Sequence, residues 1–164
     1  MNVLGIDPGS ENSALLLWNG KKVGHHAILT NRELLAVLDE PQPWAIPCDY
    51  IACEMIQSFG MAVGAEVFET CYLIGRIEQI CAYRQMRFVR IYRKEVKKHL
   101  CHDIQAKDTN IRQAILDRFG GREKAIGIKA KPGPLYSVHS HMFSALAVAI
   151  TAFDRLNQPP TDLP

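Results

Sequence analysis

Short apolar runs separated by polar turns make up the first thirty residues of the chain. The pattern predicts three strands, at residues 2–7, 13–18 and 22–29. Between the last two, Asn19 and Gly20 form a dipeptide that is a strong signal for a β-hairpin. Successive side chains of a strand point to opposite faces, so Leu4 and Ile6 face one way and Asp7 faces the other. We therefore predict a meander whose first strand is buried and ends in a carboxylate.

The rest of the pattern alternates between helical and strand periods. Apolar residues from Val67 to Cys81 recur at helical spacing, which predicts a long amphipathic helix. The predicted helices span 31–38, 65–83, 94–100, 110–119 and 139–156, and further strands span 49–54 and 87–92. Asp108 or Thr109 is the predicted N-cap of the fourth helix. Residues 121–137 are rich in Gly, Pro and Lys and are predicted to form a mobile loop.

This order of elements predicts an α/β fold with a mixed five-stranded sheet flanked by helices. Strands one and four should be adjacent near the middle of the sheet, which would bring Asp7 close to Glu54. At 164 residues the chain is predicted to form one domain, spanning 1–157, with a flexible tail at 158–164.

Composition narrows the functional classes. The chain is 48% hydrophobic and 22% charged, and no segment approaches ~20 uninterrupted apolar residues. We therefore expect a cytoplasmic protein (in the host cytoplasm if phage-encoded) that neither crosses a membrane nor binds one. The stretch from Arg84 to Lys131 holds 14 Lys or Arg and 5 Asp or Glu, a net charge of +9, whereas the remainder carries −7. Such a segment favours nucleic-acid binding, and a merely solvated basic face is the alternative.

Two strands that end in acids and the last helix supply candidate chemistry. Asp7 precedes Pro8 and Gly9, so it either initiates a turn or holds a metal ion. On the last helix His141 and Ser144 are three residues apart and share a face. If that helix packs beside strand one, two carboxylates and an imidazole converge. Such a group suits Mg²⁺ or Mn²⁺, with two ions promoting phosphodiester hydrolysis.

Four segments together resemble RuvC-type Holliday junction resolvases of the ribonuclease-H-like superfamily, and most closely their phage-encoded relatives. They occur in the order seen in that family and span almost the whole chain. The segments are GIDPGS (5–10), IACEMIQSFGM (51–61), YRKEVKKHL with AKDTNIRQAIL (92–100 and 106–116), and SHMFSALAVAI (140–150). The resemblance implies a metal-dependent endonuclease that acts as a homodimer on branched DNA. It would resolve four-way junctions by paired nicks that leave 5′-phosphate and 3′-hydroxyl ends.

The same resemblance implies a set of catalytic residues. Asp7 and Glu54 match the family's metal ligands, and His141 stands where many relatives have Asp, as a metal ligand or general acid/base. Ser144 stands where relatives often have a further acid and cannot supply its charge. The fourth position is therefore open among four residues: Ser144, Asp108, Glu66 and Glu69.

DNA contacts are expected in the loop after Glu54 and in the basic segment. Phe59 either stacks on bases at the junction centre or anchors the loop in the core. The expected phosphate contacts are Lys97, Lys107 and Arg112, with Lys94 and Arg93 behind them.

Other functions stay open. GIDPGS also resembles the first phosphate loop of actin- and hexokinase-like ATP-binding proteins, which need two such domains. The chain could also be a branched-DNA-binding module with little or no catalysis, or a broader branch or flap endonuclease.

Overall fold

A computed structural model describes residues 1–40, 46–57, 60 and 62–158. The strands are β1 (Val3–Asp7), β2 (Asn12–Trp18), β3 (Val23–Thr30), β4 (Tyr50–Met55), β5 (Arg87–Tyr92), β6 (Gly127–Ile128) and β7 (Lys131–Pro132). The helices are α1 (Asn31–Asp39), α2 (Ala65–Tyr83), α3 (Arg93–Cys101), α4 (Asp108–Arg118), α5 (Arg122–Ile126) and α6 (Met142–Asn157). No helix in the described part of the chain has the length and apolar character needed to cross a membrane.

The main sheet has the strand order β3-β2-β1-β4-β5. Strands β1, β2 and β3 pair antiparallel as the predicted meander, and β4 joins β1 in parallel. The fifth strand pairs with β4, also in parallel. This mixed five-stranded sheet confirms the predicted fold class and the adjacency of the first and fourth strands.

Each face of the sheet carries its own core, because the side chains of each strand alternate between faces. Leu4, Ile6 and Ile51 are fully buried against α1 and α2. Val3 and Ala52 point to the opposite face and pack with α6 and the helices near it. The molecule is therefore a three-layer sandwich, and the alternation read in β1 is confirmed.

Local capping explains where the helices begin. Thr30 caps α1, accepting from the Glu33 backbone N–H while the Glu33 carboxylate accepts from the Thr30 backbone N–H. At α4 the cap is Lys107, whose backbone N–H donates to the Asn110 side chain at 2.9 Å. The predicted cap at Asp108 or Thr109 is wrong by a residue or two. Asp108 is instead the first helical residue, and its carboxylate is free to pair elsewhere.

The predicted mobile loop at 121–137 is also wrong. It contains α5 and a small hairpin formed by β6 and β7. Backbone bonds from Gly133 to Ile126 and from Leu135 to Ala125 hold the hairpin, and the Leu135 and Ala125 side chains are fully buried. A Cβ on Gly127 or Gly133 would lie 2.4 Å from backbone atoms, so glycine permits this close pairing. The glycines therefore build a hairpin here.

Candidate active site

Two mostly buried carboxylates stand side by side on the central strands. Asp7 is the last residue of β1, and Glu54 lies near the end of β4. The register pairs Ile6 with Cys53, so the two acids occupy the next positions of adjacent parallel strands. Their side chains are 17% and 14% exposed. The structure thus brings together the two acids that the sequence predicts as metal ligands.

Helix α6 carries the third predicted group to the same place. A Cβ on Gly5 would lie 2.1 Å from the Ala145 carbonyl oxygen, so only glycine allows the helix to pack this close to β1. His141, at the N-cap position of α6, has its Nδ1 3.0 Å from Oδ2 of Asp7. Ser144 follows on the first turn and lines the same cleft as both acids. The predicted convergence of Asp7, Glu54 and His141 is therefore present in the fold.

An arginine lies between the acids and a third carboxylate. Arg93, the first residue of α3, places Nη1 3.3 Å from each carboxylate oxygen of Glu54. Its Nη2 donates to Asp108, the first residue of α4. Arg93 is 22% exposed, whereas Asp108 is largely exposed. Asp108 thus reaches the cleft as the partner of Arg93.

Burial sets the electrostatics of the two acids. Desolvation raises the pKa of Glu54 to about 7, although Arg93 lowers it; the neighbouring Asp7 charge raises it further. The pKa of Asp7 is also raised, because burial outweighs the stabilising effect of His141 and Arg93. Burial opposes the charge of Arg93, but Glu54 and Asp108 outweigh it and raise its pKa. Burial therefore disfavours the ionised forms of both acids.

The donor set suits a hard divalent cation. Carboxylate oxygens are the ligands that Mg²⁺ prefers, and Mn²⁺ accepts them together with imidazole. As the side chains stand, no group of three or more His, Cys, Asp or Glu in the described ranges is arranged to hold an ion. Asp7 pairs with His141 and Glu54 with Arg93, so an ion bound to both acids would share each of them with its present partner. The residue types therefore fit a divalent cation, and Asp7, Glu54 and His141 are the side chains that would hold it.

The predicted DNA-binding residues are distributed unequally around the cleft. Arg112 lines a second cleft beside Arg93, and its guanidinium lies 4.3 Å from the centre of the Phe143 ring. Lys107 is exposed at the start of α4, whereas Lys94 and Lys97 lie on α3, exposed and half-buried respectively. Phe59 lies outside the described residues.

Two weaker candidates for the fourth ligand lie on α2, and one contact in the cleft was not predicted. Glu66 and Glu69 lie exposed on α2. The sequence reading placed Arg93 only among the phosphate contacts and missed its bond to Glu54. A signal existed, because Arg93 directly follows a strand that pairs in parallel with the strand of Glu54.

Comparisons with known proteins identify the fold. A scan of protein-family models found no match to the chain. A search of curated proteins found no match either. Among solved structures, Thermus thermophilus RuvC superposes with a TM-score of 0.67 at 18% identity, covering 95% of this chain and 96% of that one.

Two structures with bound DNA are also similar. T. thermophilus RuvC in complex with a Holliday junction substrate gives a TM-score of 0.65 at 19% identity, covering 94% of each chain. The Fowlpox virus resolvase, in complex with Holliday junction DNA, gives 0.59 at 12% identity, covering 96% of this chain and 100% of that one. With this agreement over nearly the whole chain, the protein has the ribonuclease-H-like fold of RuvC-type resolvases.

Proposed function

We propose that this protein is a metal-dependent endodeoxyribonuclease that binds and cleaves branched DNA, with four-way junctions as its substrate. The observation that carries the proposal is the pair of buried carboxylates, Asp7 and Glu54, beneath the imidazole of His141. Paired acids at the edge of this sheet suit phosphodiester hydrolysis. The fold supports the choice of DNA, since two similar proteins were solved with Holliday junctions.

Each residue of the cleft has a separate task in this proposal. Asp7 and Glu54 would hold Mg²⁺ or Mn²⁺, and the metal supplies an activated water and neutralises charge on the phosphate. When the ionised Asp7 accepts a hydrogen bond from Nδ1–H of His141, the imidazole tautomer is set and Nε2 carries the lone pair. His141 is mostly exposed, so Nε2 can bind an ion or accept a proton from water.

The basic side chains beside the cleft support a path for the DNA backbone. Arg93 and Arg112 line one cleft together, next to the two acids. The packing of Arg112 against the Phe143 ring keeps its guanidinium at the surface without an acidic partner in that contact. Phosphates bound there, with Lys107 nearby in sequence, would pass in front of Glu54.

Paired nicks in a four-way junction need two copies of the cleft, and we propose a homodimer. The outer face of α2 supports this arrangement. Phe68 and Tyr72 are one helical turn apart and are 57% and 72% exposed, so both could contact the same helix of a second copy. Replacing both residues with Ser should give a monomer in sedimentation equilibrium. Tyr136 is also exposed but does not belong to α2, so Tyr136→Ser should leave the mass unchanged. A wild-type chain that stays monomeric with and without junction DNA would disprove the dimer.

Cleavage of an end-labelled four-way junction tests the activity. With Mg²⁺ or Mn²⁺ the wild type should make symmetric nicks, and Asp7→Asn should bind the junction but not cut it. Asp117→Asn, the same change on the exposed face of α4, should cut normally. Equal cutting by wild type and Asp7→Asn would refute the assignment of the site.

A second candidate function is a junction-binding module without catalysis. It is favoured by the bond between Arg93 and Glu54 and by Ser144, which lacks a charge. Tight junction binding with no cutting in either metal would select it, because binding through the basic segment needs no metal.

A further inference from the structure

Arg93 occupies the position facing both oxygens of Glu54. Its Nη1 is equally distant, at 3.3 Å, from Oε1 and Oε2. A cation that binds a carboxylate through both oxygens occupies the same kind of position. A guanidinium presents five donors in a rigid fork, so Arg93 keeps donors for a further anion after pairing with Glu54 and Asp108.

The ion pair with Asp108 holds the side chain of Arg93 in the cleft. The two residues are joined at the starts of α3 and α4, and the burial of Arg93 leaves it little room to reach solvent. Arg93 and Asp108 line both the cleft with the two acids and the adjacent cleft with Arg112. An anion entering from the Arg112 side would therefore meet Arg93 next to Glu54.

The charges in the cleft leave room for one divalent ion. Asp7, Glu54 and Asp108 contribute three negative charges when ionised, and Arg93 offsets one of them. One divalent ion then balances the cleft. A second would share Glu54 with a guanidinium at close range, and Ser144 offers no further carboxylate to offset the repulsion.

We propose that Arg93, held by Asp108, takes the place of a second metal ion, so that the cleft binds one divalent cation and Arg93 contacts the scissile phosphate. The inference rests on the proposed nuclease function. In the reaction, water adds its oxygen to phosphorus and the P–O3′ bond breaks. The O3′ oxygen keeps that electron pair and takes up one proton, as water loses one. Arg93 donates hydrogen bonds to the phosphate oxygens as their charge builds and keeps its own protons.

Counting the bound ions tests the inference without using cleavage. The full chain, free of DNA, is titrated with Mn²⁺ by calorimetry, and the free ion is measured in parallel by electron paramagnetic resonance. We expect one Mn²⁺ per wild-type chain. Arg93→Gln should gain a second ion or bind the first at least ~10-fold tighter, since it removes the competing cation. Arg90→Gln, the same change on the exposed side of β5, should match the wild type.

Three results would overturn the inference: two ions in the wild type, none in either protein, or the same number and affinity in Arg93→Gln as in the wild type. The number of ions bound by the wild type can overturn the inference by itself, so the test still holds if Arg93→Gln does not fold. With metal bound, Arg93→Gln should cut junctions about 10²–10³-fold more slowly, and Arg93→Lys should recover part of the loss. If the wild type binds one ion but never cuts DNA, the nuclease proposal fails while the ion count still decides the role of Arg93.

Discussion

Gly5→Ala should disturb the candidate site by displacing α6, the helix that positions His141 and Ser144. The new Cβ would lie 2.1 Å from the Ala145 carbonyl oxygen, 2.8 Å from the Ala149 Cβ and 2.9 Å from the Ala149 backbone nitrogen. Two of these three atoms are backbone, so side-chain rotation cannot relieve the overlap. Helix α6 would have to move by about 1 Å or more to restore an ordinary contact of 3.4–4 Å.

The expected cost follows from overpacking a close interface. Such insertions cost roughly 1–3 kcal/mol, and in a domain of this size each kcal/mol lowers Tm by about 2–4 °C. Because His141 and Ser144 belong to the first turn of the same helix, a shift of ~1 Å could lower cleavage by about 10²-fold. Urea unfolding and junction cleavage would be measured on the same preparation.

A matched variant separates the contact from the loss of a glycine. At Gly75, on the exposed face of α2, a Cβ would meet nothing within 4 Å. Gly75→Ala should leave the protein as stable as the wild type or more stable by up to ~1 kcal/mol, because alanine favours a helix. If Gly5→Ala unfolded at the wild-type urea concentration and cut junctions at the wild-type rate, the close packing of β1 on α6 would be disproved.

Two more predictions concern charge. Because the folded pKa of Glu54, about 7, lies above its ordinary 4.5, the metal-free protein should lose stability as pH rises from about 4.5 to 7 and then level off. Between pH 5 and pH 8 the free energy of unfolding of the wild type, measured in urea, should fall by roughly 1–3 kcal/mol, and Glu54→Gln should not show this fall. Glu66→Gln, on the exposed face of α2, should show the same fall as the wild type. An unchanged pH profile in Glu54→Gln would contradict the burial argument. Arg112→Ala should weaken junction binding and lower the salt slope of log K by about 1 in fluorescence anisotropy, whereas Arg122→Ala on exposed α5 should change it less. Identical salt slopes for wild type and Arg112→Ala would remove Arg112 from the DNA path.

The placement of the two acids could be predicted because it depends on simple periodicities. Alternation in β1 put Asp7 on the face of Gly5, and a second strand ending in an acid suggested the same edge of the sheet. The helical period after residue 64 gave α2 with its observed bounds. These signals come from burial, which repeats along an element and is visible in one sequence.

The contacts of Arg93 could be predicted only in part, because the parallel pairing of β4 and β5 places Arg93 near Glu54 without fixing which acid its side chain reaches. Arg93 lies on α3, its neighbour Glu54 lies on a strand 39 residues earlier, and Asp108 lies on a helix that begins 15 residues later. Which acid a long side chain reaches depends on the angle between α3 and the sheet, and no periodicity encodes that angle. The hairpin of β6 and β7 was missed for a related reason, since two-residue strands are too short to show alternation.

The energetics of the cleft explain why a built-in cation is useful there. Burial makes the charged forms of Asp7 and Glu54 costly, so without positive charge the cleft would favour protonated acids that bind metal poorly. Arg93 lowers that cost before any ion arrives and so keeps Glu54 closer to its ionised form. The same contact competes with the ion for Glu54. Arg93 therefore lowers the affinity of the cleft for metal, but it favours the ionised form of Glu54 and places one positive charge where a phosphate must bind.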